Sequence, residues 1–256
     1  MGTSQIKSSL VLAATTSVLA AASLIHPPPP LRKPPAFFLA GDSTTAPDGG
    51  WGNGVLGPLV DPAWGVNVGQ SGATTASYVA AGKWANVTAY VREYAKTYDC
   101  YVTISFGHND QKPQNNVSFD TYQQNLINFA KEVEELGGTA LLTSSLARRV
   151  FPDDPHNATD SLHEERLAAI RAAANVTGSS IIDLNAASLE YVDAIGRDAA
   201  WAYNWGPSDY THLNPRGEAV FGRMVVDLIT RARPELRSWF APNRTLSYAL
   251  RHGLPA

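Results

Sequence analysis

A hydroxyl, an imidazole, a carboxylate and an amide that could act together are spread over four short stretches of this chain. Ser43 follows Gly41 and Asp42. All three types are common in turns, so the triplet also reads as an ordinary turn. Residues 67–72 (NVGQSG) are small enough for backbone N–H groups to approach a ligand closely, although a plain loop would look the same. In Gly107-His108-Asn109-Asp110, the Asn109 side chain can present an amide N–H to an anionic oxygen. His108 and Asp110 could equally be held in local hydrogen bonds. Asp209 precedes His212 by three residues. On a turn, that carboxylate can fold back onto the imidazole Nδ1, fixing its tautomer and stabilising the cation. A surface Asp–His pair fits the spacing as well. No G-x-S-x-G surrounds Ser43, which disfavours an α/β-hydrolase elbow. There is no H-E-x-x-H, and the six His are scattered, so metal ligation is not expected.

Elements that could position these groups lie beside them. Residues 36–40 (AFFLA), 64–68 (WGVNV), 100–106 (CYVTISF), 139–143 (TALLT) and 180–184 (SIIDL) are short, largely apolar runs that predict buried parallel strands. Helical periodicity covers 119–136, capped by Ser118, and 215–232, capped by Asn214 with Pro215 in the first turn. A third helix is predicted over 160–176, with Leu167, Ile170 and Ala174 facing inward. Strands alternating with helices predict an α/β fold with a doubly wound sheet. Ligands bind such sheets beyond the carboxyl ends of the strands, where the first three polar groups fall. Asp209 and His212 sit just before the last helix.

Taken in chain order, the four groups resemble the conserved blocks of SGNH (GDSL-like) hydrolases. The phrases FFLAGDSTTA, ISFGHND and DYTHLNPRG are most similar to the rhamnogalacturonan acetylesterase family, carbohydrate esterase family 12, and the resemblance spans residues 37–228. It implies a flavodoxin-like three-layer α/β/α sandwich around a five-stranded parallel sheet. It also implies a serine esterase that needs no cofactor or metal and removes acetyl groups from rhamnogalacturonan or another pectin. By the family's pattern Ser43 is the nucleophile, His212 the base and Asp209 its partner. The backbone N–H groups of Ser43 and Gly72 and the Asn109 amide make the oxyanion hole. The chain departs from the fungal form in having one cysteine, Cys100, and a short segment over 110–119. Another acetyl or short-chain ester, in xylan or lipid, would use the same residues, and an inactive carbohydrate-binding scaffold is the reading from a different class.

Substrate contacts are less constrained. Trp201 and Trp205 offer aromatic faces for sugar rings, or core packing instead. Arg148 or Arg149 could pair with uronate carboxylates, or serve in a structural ion pair. His108 is a further candidate for substrate binding.

Composition bounds the rest. The 256 residues are 44% hydrophobic and 17% charged with net charge −3, which suits one globular domain and excludes a nucleic-acid footprint of clustered Lys and Arg. Residues 1–22 read as a secretory signal peptide, 23–35 as a Pro-rich linker, 36–240 as the esterase domain and 241–256 as a C-terminal tail. Sequons at Asn86, Asn116, Asn157, Asn175 and Asn243 fit a glycosylated, extracellular product. An acetylated polysaccharide is the expected partner, with no membrane contact after signal cleavage, and a monomer is expected.

Overall fold

Five parallel strands form the centre of the computed structural model, which describes residues 1–2 and 33–256. The strands are β1 (Pro35–Gly41), β2 (Trp64–Asn67), β3 (Asp99–Ser105), β4 (Thr139–Thr143) and β5 (Ser180–Ile182), in spatial order β2-β1-β3-β4-β5. The expected parallel strands are therefore present in a flavodoxin-like order. β1 is flanked by neighbours on both sides, so the chain reverses direction across the sheet between β1 and β3, and a crevice opens at their carboxyl ends. The signal segment and most of the Pro-rich linker lie outside the described residues. The linker's last residues are already structured: Lys33 Nζ donates to the Ala95 carbonyl, and Pro35 opens β1.

β1 is buried along its whole length because side chains alternate between two cores. Ala36, Phe38 and Ala40 enter one core, Phe37 and Leu39 the other. The first core is covered by α2 (Thr75–Ala80), α3 (Lys83–Tyr94), α4 (Phe119–Glu135) and α5 (His163–Ala174). The second is covered by α1 (Gly52–Leu56), α6 (Leu184–Ile195), α7 (Arg197–Trp201) and α8 (Pro215–Ala232). This is the three-layer sandwich. Each fully buried Phe contributes about 1.5–3 kcal/mol to such a core.

The expected helices form, with Ser118 accepting from Thr121 N and Asn214 from Gly217 N as N-caps. The inward stripe of α5 differs from expectation. Glu165, Ala168, Ala169 and Ala172 are buried, whereas Leu167 and Ile170 are only partly covered and Ala174 is exposed. Small side chains let α5 sit close to α4 and the sheet, so packing distance decides the face rather than side-chain size. Residues 241–256 are not a loose tail. They contain α9 (Arg244–Arg251), whose Leu246 and Leu250 pack on the second core, and Tyr203 Oη donates to the Ala256 carbonyl at 2.8 Å. Among the described residues no helix is long and apolar enough to cross a membrane.

Candidate active site

β1 delivers Ser43 to the crevice through a tight turn. A Cβ on Gly41 would lie 2.2 Å from Thr45 Oγ1 and 2.6 Å from the Ser105 carbonyl, so only glycine lets the chain leave the strand there. Asp42 then clamps the turn. Its backbone carbonyl accepts from Thr45 N and Ala46 N, while Oδ1 accepts from Thr44 N at 2.9 Å and Thr44 Oγ1 at 2.8 Å. Asp42 and Thr44 are buried and Ser43 between them is half-exposed. Burial alone would raise the Asp42 carboxyl, but nearby His108 and the Thr44 hydrogen bonds outweigh it and hold the group below its ordinary value.

His212 reaches Ser43 from a separate element. The stretch read as a turn is a strand, β7 (Asp209–Leu213), paired antiparallel with β6 (Asn204–Gly206). Asp209 nonetheless folds back as the spacing implied. Oδ1 accepts from the backbone N–H of Thr211 and His212, and Oδ2 lies 2.8 Å from His212 Nδ1. His212 Nε2 lies 2.8 Å from Ser43 Oγ. Residues 169 apart in sequence thus complete one chain from carboxylate to imidazole to hydroxyl. Burial raises the Asp209 carboxyl, yet the hydrogen bonds from His212 and Thr211 prevail and keep it below its ordinary value, so it is ionised at neutral pH. Gly49, at φ +128, packs against the His212 side chain, and its carbonyl accepts from Leu213 N.

Behind this hairpin lies Arg149, which is fully buried. Its Nε donates to Asn204 Oδ1 at 2.5 Å and its Nη2 to the His212 carbonyl at 2.7 Å, while its backbone N–H donates to the Tyr210 carbonyl. Burial pushes the guanidinium down to about 10, opposed by Asp209, so it stays charged at neutral pH. Arg149 ties β6 to β7 and holds the His212 backbone; it is not available to a substrate carboxylate.

Ser43, Gly72, Asn109 and His212 line one cleft of about 510 Å³. The backbone N–H groups of Ser43 and Gly72 donate to no protein atom among the described residues. Asn109 is 4% exposed, and its amide is fixed at both ends. One Nδ2 hydrogen goes to the Ala73 carbonyl at 3.0 Å, leaving the second unused, and Oδ1 accepts from Lys112 Nζ at 2.8 Å. Three unspent donors beside one hydroxyl suit a developing oxyanion. Asp110 is structural: Oδ1 accepts from Thr75 N at 2.8 Å and Thr75 Oγ1 at 2.6 Å, tying this loop to α2.

The remaining substrate candidates separate. His108 lines the cleft, buried, with Nδ1 3.7 Å from Asp42 Oδ2. Arg148 also lines it, donating Nη1 to Ser161 Oγ at 3.0 Å, with no carboxylate within ion-pair distance among the described residues. Trp205 lines the rim and is 53% exposed. Trp201 is not among the lining residues; its Nε1 donates to the Arg149 carbonyl, and its ring lies against Tyr210 and beneath Arg197. Lys112, Asp48 and Thr211 line the cleft without having been anticipated. Lys112 three residues after Asn109 was the available signal. No group of three or more His, Cys, Asp or Glu able to hold a metal ion lies among the described residues. All five sequon asparagines are exposed.

Comparison with known proteins agrees with this architecture. The model of the GDSL-like lipase/acylhydrolase family matches residues 39–220. A rhamnogalacturonan acetylesterase of Bacillus subtilis is 31% identical over 208 residues, covering 73% of this chain and 86% of that protein. An acetylxylan esterase from Geobacillus stearothermophilus, solved as a catalytic mutant, superposes with TM-score 0.59 at 21% identity, covering 78% of this chain and 95% of that one. A further Bacillus subtilis structure gives TM-score 0.65 at 18% identity; 78% of this chain is covered, and this chain spans 57% of that protein's length.

Proposed function

Because the chain belongs to the GDSL-like lipase/acylhydrolase family and is a carboxylic ester hydrolase, we propose that it is a secreted acetylesterase acting on acetylated rhamnogalacturonan. The observation that carries the chemistry is the unbroken Asp209–His212–Ser43 chain, with 2.8 Å at each link, beside three unspent N–H donors. Ser43 Oγ attacks the acetyl carbonyl while neutral His212 accepts its proton at Nε2. Asp209 stabilises the resulting imidazolium. The Ser43 and Gly72 N–H groups and the Asn109 amide hold the tetrahedral oxyanion. Collapse expels the sugar alkoxide, which takes the proton from His212. Water then attacks the acetyl-Ser43 ester, giving one proton to His212; Ser43 Oγ recovers that proton as acetic acid leaves, and the acid ionises to acetate in solution.

The activity of the Bacillus subtilis relative supports rhamnogalacturonan, and Arg148 and Trp205 on the cleft supply a guanidinium for a uronate and an aromatic face for a sugar ring. The signal-like segment and the five exposed sequons support secretion and glycosylation. The test is acetate release from acetylated rhamnogalacturonan and acetylated xylan, with Ser43→Ala as control. Faster release from xylan would overturn the substrate, and wild-type turnover by Ser43→Ala would overturn the mechanism.

A further inference from the structure

A second cleft lies between α8, the 3₁₀ turn Pro234–Trp239 and α9. It encloses about 490 Å³ and is lined by five arginines: Arg223, Arg231, Arg237, Arg244 and Arg251. Asp227 is the only carboxylate among its lining residues, and it is engaged by Arg223 Nη2 at 2.8 Å. Arg223 also donates Nε to Ser247 Oγ and Nη1 to the Ala241 carbonyl, and Arg251 donates Nε to the Ser247 carbonyl. Those two side chains are therefore part of the wall. Arg231, Arg237 and Arg244 are exposed and make no hydrogen bond or ion pair among the described residues.

The local balance is five positive side chains against one negative, or +4, on a chain whose net charge is −3. A concave site with a low-dielectric wall focuses such a potential outward. Planar guanidinium forks match carboxylates bidentately, which an ammonium surface would not. Three free forks can each pair with a separate carboxylate. Arg223 and Arg231 are eight residues apart on α8, so the arginines are spread over roughly 12 Å at the helical rise. That extent suits a chain of repeating carboxylates. Arg231 lies 16 residues along α8 from Pro215, roughly 24 Å from the helix end next to His212.

We infer that this cleft is a second binding site for a polyuronate segment, the acidic backbone of a pectic polysaccharide. It would hold the polymer while acetyl groups at a distance enter the cleft at Ser43. Tethering of this kind raises the effective substrate concentration without new contacts at the reacting ester. The inference rests on the pectic substrate reading for its use, although not for its binding chemistry.

The test uses the protein as secreted, with Thr245→Ala, which deletes the Asn243 sequon, as a further control because Asn243 lines the cleft; binding by that control alone would overturn the site in the secreted protein. Polygalacturonate free of acetyl groups is the probe, in native affinity electrophoresis and calorimetry at low ionic strength. Wild type is expected to bind, and Arg231→Glu/Arg244→Glu to bind at least about tenfold more weakly, since each reversal replaces an attraction by a repulsion. Salt at about 0.5 M should abolish binding. Turnover of a small neutral acetyl ester should be unchanged in the variant, while KM for acetylated pectic polymer rises several-fold. Equal binding by both proteins, or by neither, overturns the site, as does binding only to anionic phospholipid vesicles. The two readings fail separately. If polygalacturonate binds through these arginines but no pectic polymer is deacetylated, the substrate reading falls and the site stands. If both proteins deacetylate the polymer equally and neither binds polygalacturonate, the reverse holds.

Discussion

Asn109→Ala tests the oxyanion assignment because its two consequences can be separated. The substitution removes one of the three N–H donors that line the cleft with Ser43, and loss of a single such donor costs about 10²–10³ in kcat. The contact is made with the charge that develops in the transition state, so KM should change little. Stability falls for another reason. Ala73 is 1% exposed, and its carbonyl loses the Asn109 amide, a cost of about 1–3 kcal/mol for an unsatisfied buried acceptor. Lys112 is exposed, so its ammonium regains water at little cost. For a domain of this size 1 kcal/mol lowers Tm by about 2–4 °C, which gives a fall of about 2–12 °C. With ordinary domain stability of about 5–15 kcal/mol, the variant remains folded at 25 °C. Turnover of a small acetyl ester, read beside a thermal melt, therefore isolates the catalytic loss. A kcat within about threefold of wild type, with Tm lowered as calculated, would refute the role of this amide.

Ser43→Ala and His212→Ala should each lose more kcat than Asn109→Ala and by similar factors, because both break the same unit; unequal losses in single-turnover assays would count against a shared step. Asp110→Asn should gain in Tm relative to wild type as pH rises. Burial and the nearby Asp42 charge lift the folded Asp110 carboxyl above its ordinary value, so wild type loses stability as pH climbs from about 3.9 through that raised value, whereas Asn cannot ionise. A Tm difference constant from pH 3 to 8 would contradict this. Arg149→Met should lower both Tm and kcat, since the His212 carbonyl and Asn204 Oδ1 lose their donor together. Unchanged kcat would show that the hairpin positions His212 without it. Arg148→Ala should raise KM for acetylated pectin more than for a neutral ester, and equal effects would remove carboxylate recognition.

Strand positions and the long helices were legible because their signals are local. Residues 139–143 and 215–232 carry an apolar run and a 3.6-residue stripe with a cap, and β4 and α8 match both ranges. Polar blocks at strand ends were legible because a parallel sheet gathers those ends at one rim. Helices α1, α2, α3, α6 and α7 were not anticipated. Their apolar faces are short or interrupted by polar residues such as Thr88 and Asn185, so tertiary packing rather than periodicity defines them. α9 was read as tail for the same reason, since its few apolar residues matter only once α8 is beside them.

The roles of the two arginines illustrate a different limit. Arg148 and Arg149 are adjacent and chemically identical, yet one lines the cleft and the other is fully buried. After β4 ends at Thr143 the chain is in neither helix nor strand through residue 150, and it sends Arg148 to the cleft and Arg149 to the interior. Which side faces substrate depends on where the β6–β7 hairpin docks, a segment whose three-residue strand has no legible period. That hairpin lies outside the central sheet, so it has only β6–β7 pairing and tertiary contacts to place it. A buried guanidinium bonded at once to Asn204, on one strand, and His212, on the other, supplies that placement. Ser43 is fixed by the main sheet, whereas His212 is fixed to Ser43 through the docking of the hairpin, held by Arg149 on one side and by the Leu213 N–H to Gly49 carbonyl bond on the other. A loss of about 1 Å in that docking would weaken the 2.8 Å contact between them without disturbing either residue.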